Sequence, residues 1–277
     1  MSTFQTIVYS VIHGFTEFLP ISSSAHHALV PYIIGWDAPE GAFAGALTLG
    51  AFLALLVYFR HDWAAMTSSF LQVIIFRKRP MMIDERMPIF IILTSLPVAV
   101  AWYYLRLPIS EMNWNPFLIS ASLAVFSLPL WFVDSFSRKN KAMADWNSLD
   151  ALLVGVTQIA LLIPGCGLQV GTLIGALGRN YNREAAAKFA FFAALPVLAG
   201  SAAVHLRGLD LHASQPMANL SWLSFTMAVI VTFFSGLLAI GGFMRNVQSK
   251  GFAQYLLYRF VFAGTVGVIY FIRSRTG

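Results

Sequence analysis

The chain of 277 residues is 58% hydrophobic and only 11% charged, with a formal net charge of +6 and one cysteine. A soluble domain carries about 25% charged residues, so this composition excludes a water-facing surface over most of the chain. Cys166 alone excludes an internal disulfide and any cysteine-based metal cluster, and the basic residues lie in short loops between apolar runs, a pattern of membrane orientation rather than of nucleic-acid binding.

The expected class is an all-α polytopic membrane protein of the bacterial inner-membrane type, one membrane domain over residues 1–277. Its N-terminus has no basic region or small-residue cleavage site, so no removed signal peptide is expected. The first stretch, Thr3–Gly35, is apolar but broken by Glu17, Pro20, three serines and two histidines. Full spans are expected over Phe43–Phe59, Pro88–Tyr104 and Phe117–Val133, each near the roughly 20 residues that cross a bilayer. A second broken stretch follows, Leu149–Gly178, interrupted by Gln158, Pro164, Gly165, Gly167 and Gly171. Three more spans close the chain: Phe189–Val204, Leu220–Phe243 and Tyr255–Ile272.

The basic loops set the orientation. Arg60, Arg77, Lys78, Arg79 and Arg86 fall in one loop, Arg138, Lys139 and Lys141 in the next, then Arg179, Arg183 and Lys188, then Arg245 and Lys250. All of these go to the cytoplasm by the positive-inside rule. The tail Arg273–Arg275 then falls outside, against the rule. Parity makes each broken stretch enter and leave by one face, the first from outside and the second from inside. The expectation is six transmembrane helices plus two re-entrant helix pairs. The two stretches also resemble each other: Gly14-Phe15-Thr16-Glu17 recurs as Gly155-Val156-Thr157-Gln158, each followed by a proline and a small-residue turn. Similar elements entering from opposite faces mark an inverted-topology repeat, with halves of about 1–145 and 146–277. Two kinked spans with incidental polar residues are the plainer alternative.

Polar residues at membrane depth are where chemistry is expected. A carboxylate there costs roughly 2.5–3.5 kcal/mol, so Glu17 needs a partner or a wet cavity. Ser22, Ser23 and Ser24 with His26 and His27 offer hydroxyl nucleophiles beside an imidazole base; a serine N-cap with interfacial histidines reads the same residues more plainly. Pro164-Gly165-Cys166-Gly167 before Leu168–Thr172 is a glycine-rich turn opening a helix, either a helix break or an anion nest of backbone N–H groups. Gln158 is a hydrogen-bond donor behind that turn or a helix–helix contact. Glu17–His27 and Pro164–Thr172 are expected to meet near the midplane.

The run Gly14-Phe15-Thr16-Glu17-Phe18-Leu19-Pro20-Ile21-Ser22-Ser23-Ser24-Ala25-His26 resembles the signature E-G-x-T-E-F-L-P-[VI]-S-S-T-G-H of the undecaprenyl-diphosphate phosphatases, the bacitracin-resistance family. The resemblance continues through Leu49-Gly50, Tyr58-Phe59-Arg60, Gly155 with Gln158, Pro164-Gly165, Arg183–Phe189 and Tyr258-Arg259-Phe260. It implies the six-span, two-hairpin fold and hydrolysis of undecaprenyl diphosphate to undecaprenyl phosphate, which returns a lipid carrier to cell-wall synthesis. It implies Glu17, Ser23 and His26 as catalytic residues, and a divalent cation, magnesium or calcium, at Glu17. Ser22, Gly165, Gly167, Thr172 and His13 are the implied phosphate-binding positions. The implied partners are the polyprenyl diphosphate and membrane lipid, and a homodimer is compatible with it.

Two departures stand out. His13 occupies the place of the first motif glutamate; protonated, it would supply positive charge while removing a metal ligand. The second motif, P-G-x-S-R-S-G, reads here Pro164-Gly165-Cys166-Gly167-Leu168-Gln169-Val170, so Leu168 replaces an arginine able to clamp phosphate bidentately. A non-catalytic relative that binds or moves a polyprenyl phosphate is therefore the competing expectation, and a proton-coupled transporter using Glu17 is a third.

Overall fold

The structure, a computed structural model, describes residues 2–39, 41–207 and 220–276. These residues are helical apart from turns and one isolated bridge between Lys141 and Tyr181. In chain order the helices are α1 (Thr3–Phe18), α2 (Ser23–Ile34), α3 (Gly41–Tyr58), α4 (Arg60–Ile75), α5 (Ile83–Glu111), α6 (Pro116–Val125), α7 (Ser127–Phe136), α8 (Ser148–Gln158), α9 (Leu168–Gly178), α10 (Arg183–His205), α11 (Trp222–Lys250) and α12 (Ala253–Thr276). Short 3₁₀ turns fill Met143–Asp145 and Ile159–Leu162.

Six candidate membrane spans are present among the described residues: Gly41–Tyr58, Ile83–Ile109, Pro116–Phe136, Arg183–His205, Trp222–Lys250 and Ala253–Arg275. They coincide with the six runs read from hydropathy, several of them extended at one or both ends by a turn or more of helix. Caps show why they begin where they do. Asn115, Asn147, Asn182 and Ser221 each accept a hydrogen bond from the backbone N–H three residues on, supplying one of the acceptors that a helix start lacks. Gly251, with φ of +58°, separates α11 from α12.

Two features escape hydropathy. The basic loop after α3 contains α4, whose polar composition hides it from a search for apolar runs. The third span is not continuous: it breaks at Phe126 into α6 and α7. Outward faces of the spans carry Leu96, Val100, Trp131, Phe132, Phe234, Leu238, Val261 and Val268 exposed. In a lipid solvent that is the expected surface, since tails are as apolar as leucine.

Charges collect at one end. Among the described residues the ion pairs are Asp62–Lys188, Asp134–Arg183, Asp150–Lys141 and Asp150–Arg179, every basic member belonging to a loop that the sequence assigns to the cytoplasm. Asp150 is fully buried and also accepts a hydrogen bond from Tyr181, 2.8 Å away. Burial first, and then this carboxylate, raises the Tyr181 phenol above its ordinary value. Trp146 is sandwiched between Tyr181 and Phe189, at 4.0 and 3.6 Å between ring centroids. At the other end, Arg273 of the basic tail donates to the carbonyls of Tyr32 and Ile33 at the end of α2.

Candidate active site

Both interruptions seen in the sequence are real chain breaks. After α1 the chain leaves helical geometry at Leu19, turns through Pro20 and Ile21, and re-enters helix at Ser23. Ser22 sits at φ +71°, left-handed and costly for a side-chain-bearing residue. Its hydroxyl caps Ala25 N–H at 3.4 Å and meets the Ser24 hydroxyl at 3.2 Å. After α8 and its 3₁₀ extension, Pro164-Gly165-Cys166-Gly167 reverses the chain, with Gly165 at φ +105° and Gly167 at φ +86°. Only glycine holds these angles without strain.

The two turns touch. A Cβ on Gly167 would lie 2.8 Å from Ser22 Cα, so the backbones are in direct contact there. The Gly165 N–H donates to the Ser24 hydroxyl at 3.4 Å. The N-terminal ends of α2 and α9 therefore abut, each presenting first-turn N–H groups and the positive end of its dipole.

Arg259 of α12 holds the contact together. Fully buried, it donates from Nη1 to the carbonyls of Pro20 (3.4 Å) and Cys166 (3.1 Å), and from Nη2 to those of Gly165 and Leu123 (both 2.9 Å). Nε donates to the Ser127 hydroxyl at 2.7 Å. One guanidinium thus joins both turns to the α6–α7 break. Sequence reading registered Arg259 only as part of a motif. The rule that singles out Glu17, a charge inside an apolar span, applies equally to it.

The predicted residues separate into three groups. Glu17, 9% exposed, faces Ser23, whose hydroxyl is close enough to act on its carboxylate. One helical turn earlier on the same face of α1, His13 Nδ1 lies 2.9 Å from His27 Nε2. These are successive rungs between antiparallel helices, since 17 pairs with 23 and 13 with 27. His26 faces elsewhere: Nδ1 lies 2.8 Å from the Ser22 carbonyl and Nε2 lies 2.6 Å from the Tyr258 hydroxyl, with the ring stacked on Phe262 at 4.6 Å. A carbonyl only accepts, so Nδ1 carries the proton and Nε2 accepts from Tyr258. Thr172 is fully buried and its hydroxyl donates to the Leu168 carbonyl, so that proton is committed within α9.

Several buried polar atoms near the turns lack a protein partner: His13 Nε2, Ser122 Oγ, and both amide atoms of Gln158 and of Gln169. Orphaned groups in an apolar interior call for a polar occupant, water or ligand. Leu168, at the first turn of α9, is 8% exposed and packed in the main apolar core.

The divalent cation implied by the family resemblance can be tested against the donor set. Magnesium takes six oxygen ligands and calcium six to eight. Glu17 is the only acidic residue within His13–His27 and Pro164–Thr172, and among the described residues no three His, Cys, Asp or Glu side chains converge as a metal site. These side chains do not fit a resident hard cation.

The pattern of the family described as bacitracin resistance protein BacA matches residues 6–265. The chain is 34% identical over 275 residues to an undecaprenyl-diphosphatase of Caldicellulosiruptor bescii, covering 99% of this chain and all of that protein. It is 33% identical over 271 residues to one of Idiomarina loihiensis (98% of this chain, all of that protein) and 30% identical over 277 residues to one of Myxococcus xanthus (all of this chain, 91% of that protein). With agreement of this length on a helical bundle whose two motif turns meet, the chain belongs to the bacitracin resistance protein BacA family.

Proposed function

We propose that the protein is an undecaprenyl-diphosphatase of the bacterial inner membrane, releasing the terminal phosphate of the lipid diphosphate and returning the monophosphate carrier to cell-wall synthesis. The observation that carries this reading is the abutment of the α2 and α9 N-termini at Ser22 and Gly167. Helix N-termini bind phosphate through free N–H groups and dipole, and buried polar atoms without a protein partner lie beside the contact, Ser122 Oγ against Gly165 and the Gln169 amide in the first turn of α9. The names borne by relatives along the full chain supply the lipid.

In this reading the terminal phosphate lies against the first turns of α2 and α9. Ser23 Oγ attacks its phosphorus and Glu17 takes the hydroxyl proton, consistent with their pairing. The bond to the bridging oxygen breaks, and the polyprenyl phosphate leaves with the electron pair and takes the proton from Glu17, restoring the carboxylate. Water, deprotonated at the same carboxylate, then cleaves the phosphoserine to give inorganic phosphate and the free hydroxyl. His26, engaged on both ring nitrogens, is a positioning residue: it holds the Ser22 carbonyl and thereby the turn. All these residues come from one copy of the chain.

Two re-entrant pairs in an inverted repeat are part of the same proposal. Helices α2 and α9, with 12 and 11 residues, extend about 18 and 17 Å at 1.5 Å per residue, little more than half of a bilayer core of about 30 Å. In support of the repeat, α1 of the first half packs along α11 of the second, and α8 along α5.

The test is phosphate release from undecaprenyl diphosphate by purified protein in detergent. Ser23→Ala and Glu17→Gln are each expected to lower the rate at least about 100-fold, the usual worth of a nucleophile or positioned base. A silent wild type, or two variants as fast as wild type, would refute the assignment.

A further inference from the structure

One cluster at the site is left unused by the reaction just described. His13 is 3% exposed, its Nδ1 is 2.9 Å from His27 Nε2, and the rings lie 4.8 Å apart, tilted by 33°. The outer nitrogen, His13 Nε2, is buried without a partner. In an apolar interior a ring nitrogen of this kind is aimed at something polar that protein atoms do not supply. The position is also the one where the family pattern has a glutamate, and the donors left around Glu17 do not make a magnesium or calcium site.

We propose that the His13–His27 couple is a phosphate-binding element, holding a terminal phosphate oxygen through His13 Nε2, and that it replaces the hard divalent cation in this chain. The inference rests on the phosphatase reading for what it binds.

The proton bookkeeping of the couple supports a donor. A 2.9 Å contact between two imidazole nitrogens requires one proton on the line between them. With two neutral rings, either His13 donates inward, leaving Nε2 as a bare acceptor, or His27 donates to His13 Nδ1 and Nε2 carries N–H. An anion at Nε2 selects the second arrangement, because a phosphate oxygen accepts and does not donate. The next imidazoles near enough to act electrostatically on the pair are His26 on α2, its ring turned toward Tyr258, and His205 at the end of α10. Imidazole also suits zinc, copper or nickel better than calcium or magnesium, so exchanging carboxylate for imidazole works against a hard ion twice, by removing charge and by removing oxygen.

The family's glutamate gives a clean experiment: His13→Glu beside wild type, His13→Gln and His27→Gln, each checked for an unchanged thermal unfolding midpoint. Calcium chloride and magnesium chloride are titrated calorimetrically into the detergent-purified full chain. Wild type is expected to show no saturable heat, and His13→Glu to acquire a one-to-one site. Separately, ¹⁵N-histidine spectra are recorded in EDTA with inorganic pyrophosphate added. The His13 and His27 resonances are expected to shift together in wild type, and the His13 shift to be lost in His27→Gln. Phosphate release from undecaprenyl diphosphate in EDTA should stay within twofold of the metal-replete rate in wild type. It should fall more than tenfold in the two glutamine variants, and become EDTA-sensitive in His13→Glu. Saturable calcium or magnesium binding by wild type that Glu17→Gln removes, release abolished by EDTA, or histidine resonances indifferent to pyrophosphate would each overturn the inference. If wild type releases nothing in any buffer, the phosphatase reading fails, while calorimetry and spectra still decide the phosphate element.

Discussion

Arg259 uses all five N–H protons on four backbone carbonyls and one hydroxyl, and meets no carboxylate among those partners. Each carbonyl left without a donor in a buried site costs about 1–3 kcal/mol. Arg259→Met is therefore expected to destabilise the protein by at least about 3 kcal/mol, seen as a lower thermal unfolding midpoint in detergent, and to abolish phosphate release. Arg259→Lys keeps the charge but loses the planar fork, so it should recover only part of the stability. Tyr258 presents a milder case. Its hydroxyl serves His26 Nε2, and Tyr258→Phe is expected to slow phosphate release about tenfold, equivalent to the roughly 1.4 kcal/mol of one lost hydrogen bond. Unchanged kinetics in that variant would mean that the Ser22 carbonyl and stacking on Phe262 suffice to orient His26. Leu168 stands at the α9 start where the family pattern has arginine. Leu168→Arg should speed release about tenfold if the phosphate lies against this turn, since bidentate clamps at such sites contribute on that order or more, measured in the same detergent assay.

At the scale of elements, the site depends on two broken helices meeting end to end. At Gly167 the turns approach closely, with its positive φ and the Cα, Cβ and N of Ser22 beyond its missing side chain. Gly167→Ala adds both strain and collision, so a loss of at least about 2 kcal/mol is expected, together with loss of phosphate release. A variant as stable and active as wild type would show that the turns need not touch. The breaks were legible in the sequence because Pro20, Pro164 and the glycines interrupt otherwise helical runs. What the breaks would press against was not legible. Ser22 in the left-handed region follows from the tertiary contact, not from serine's own preference, whereas the break between α6 and α7 at Phe126 was announced by Pro129, which has no N–H for the Val125 carbonyl four residues back, a signal that the uninterrupted apolar run concealed.

On the scale of the whole molecule, stability at one end of the bundle rests on Asp150, which joins Lys141, Arg179 and Tyr181. Breaking a buried ion pair by removing one partner costs about 3–5 kcal/mol; because Lys141 and Arg179 are about 29% and 41% exposed, water recovers much of that. Asp150→Ala is accordingly expected to cost about 2 kcal/mol, read as a lower unfolding midpoint, with phosphate release at low temperature preserved. Loss of release in a folded Asp150→Ala protein would tie this end to the site.

The six spans, their order and the two polar interruptions were determined by sequence alone, because transfer from water to lipid is a property of each apolar run taken by itself and needs no knowledge of neighbours. The specific hydroxyl, carboxylate and imidazole types in the first interruption were equally plain, since chemistry is written in residue identity. Only the tertiary structure decided their pairing: Ser23 with Glu17, His13 with His27, His26 with Tyr258, and Arg259 across both turns. Hydrogen bonds within about 3 Å depend on where separate helices cross, and that geometry arises from packing between segments as much as 241 residues apart.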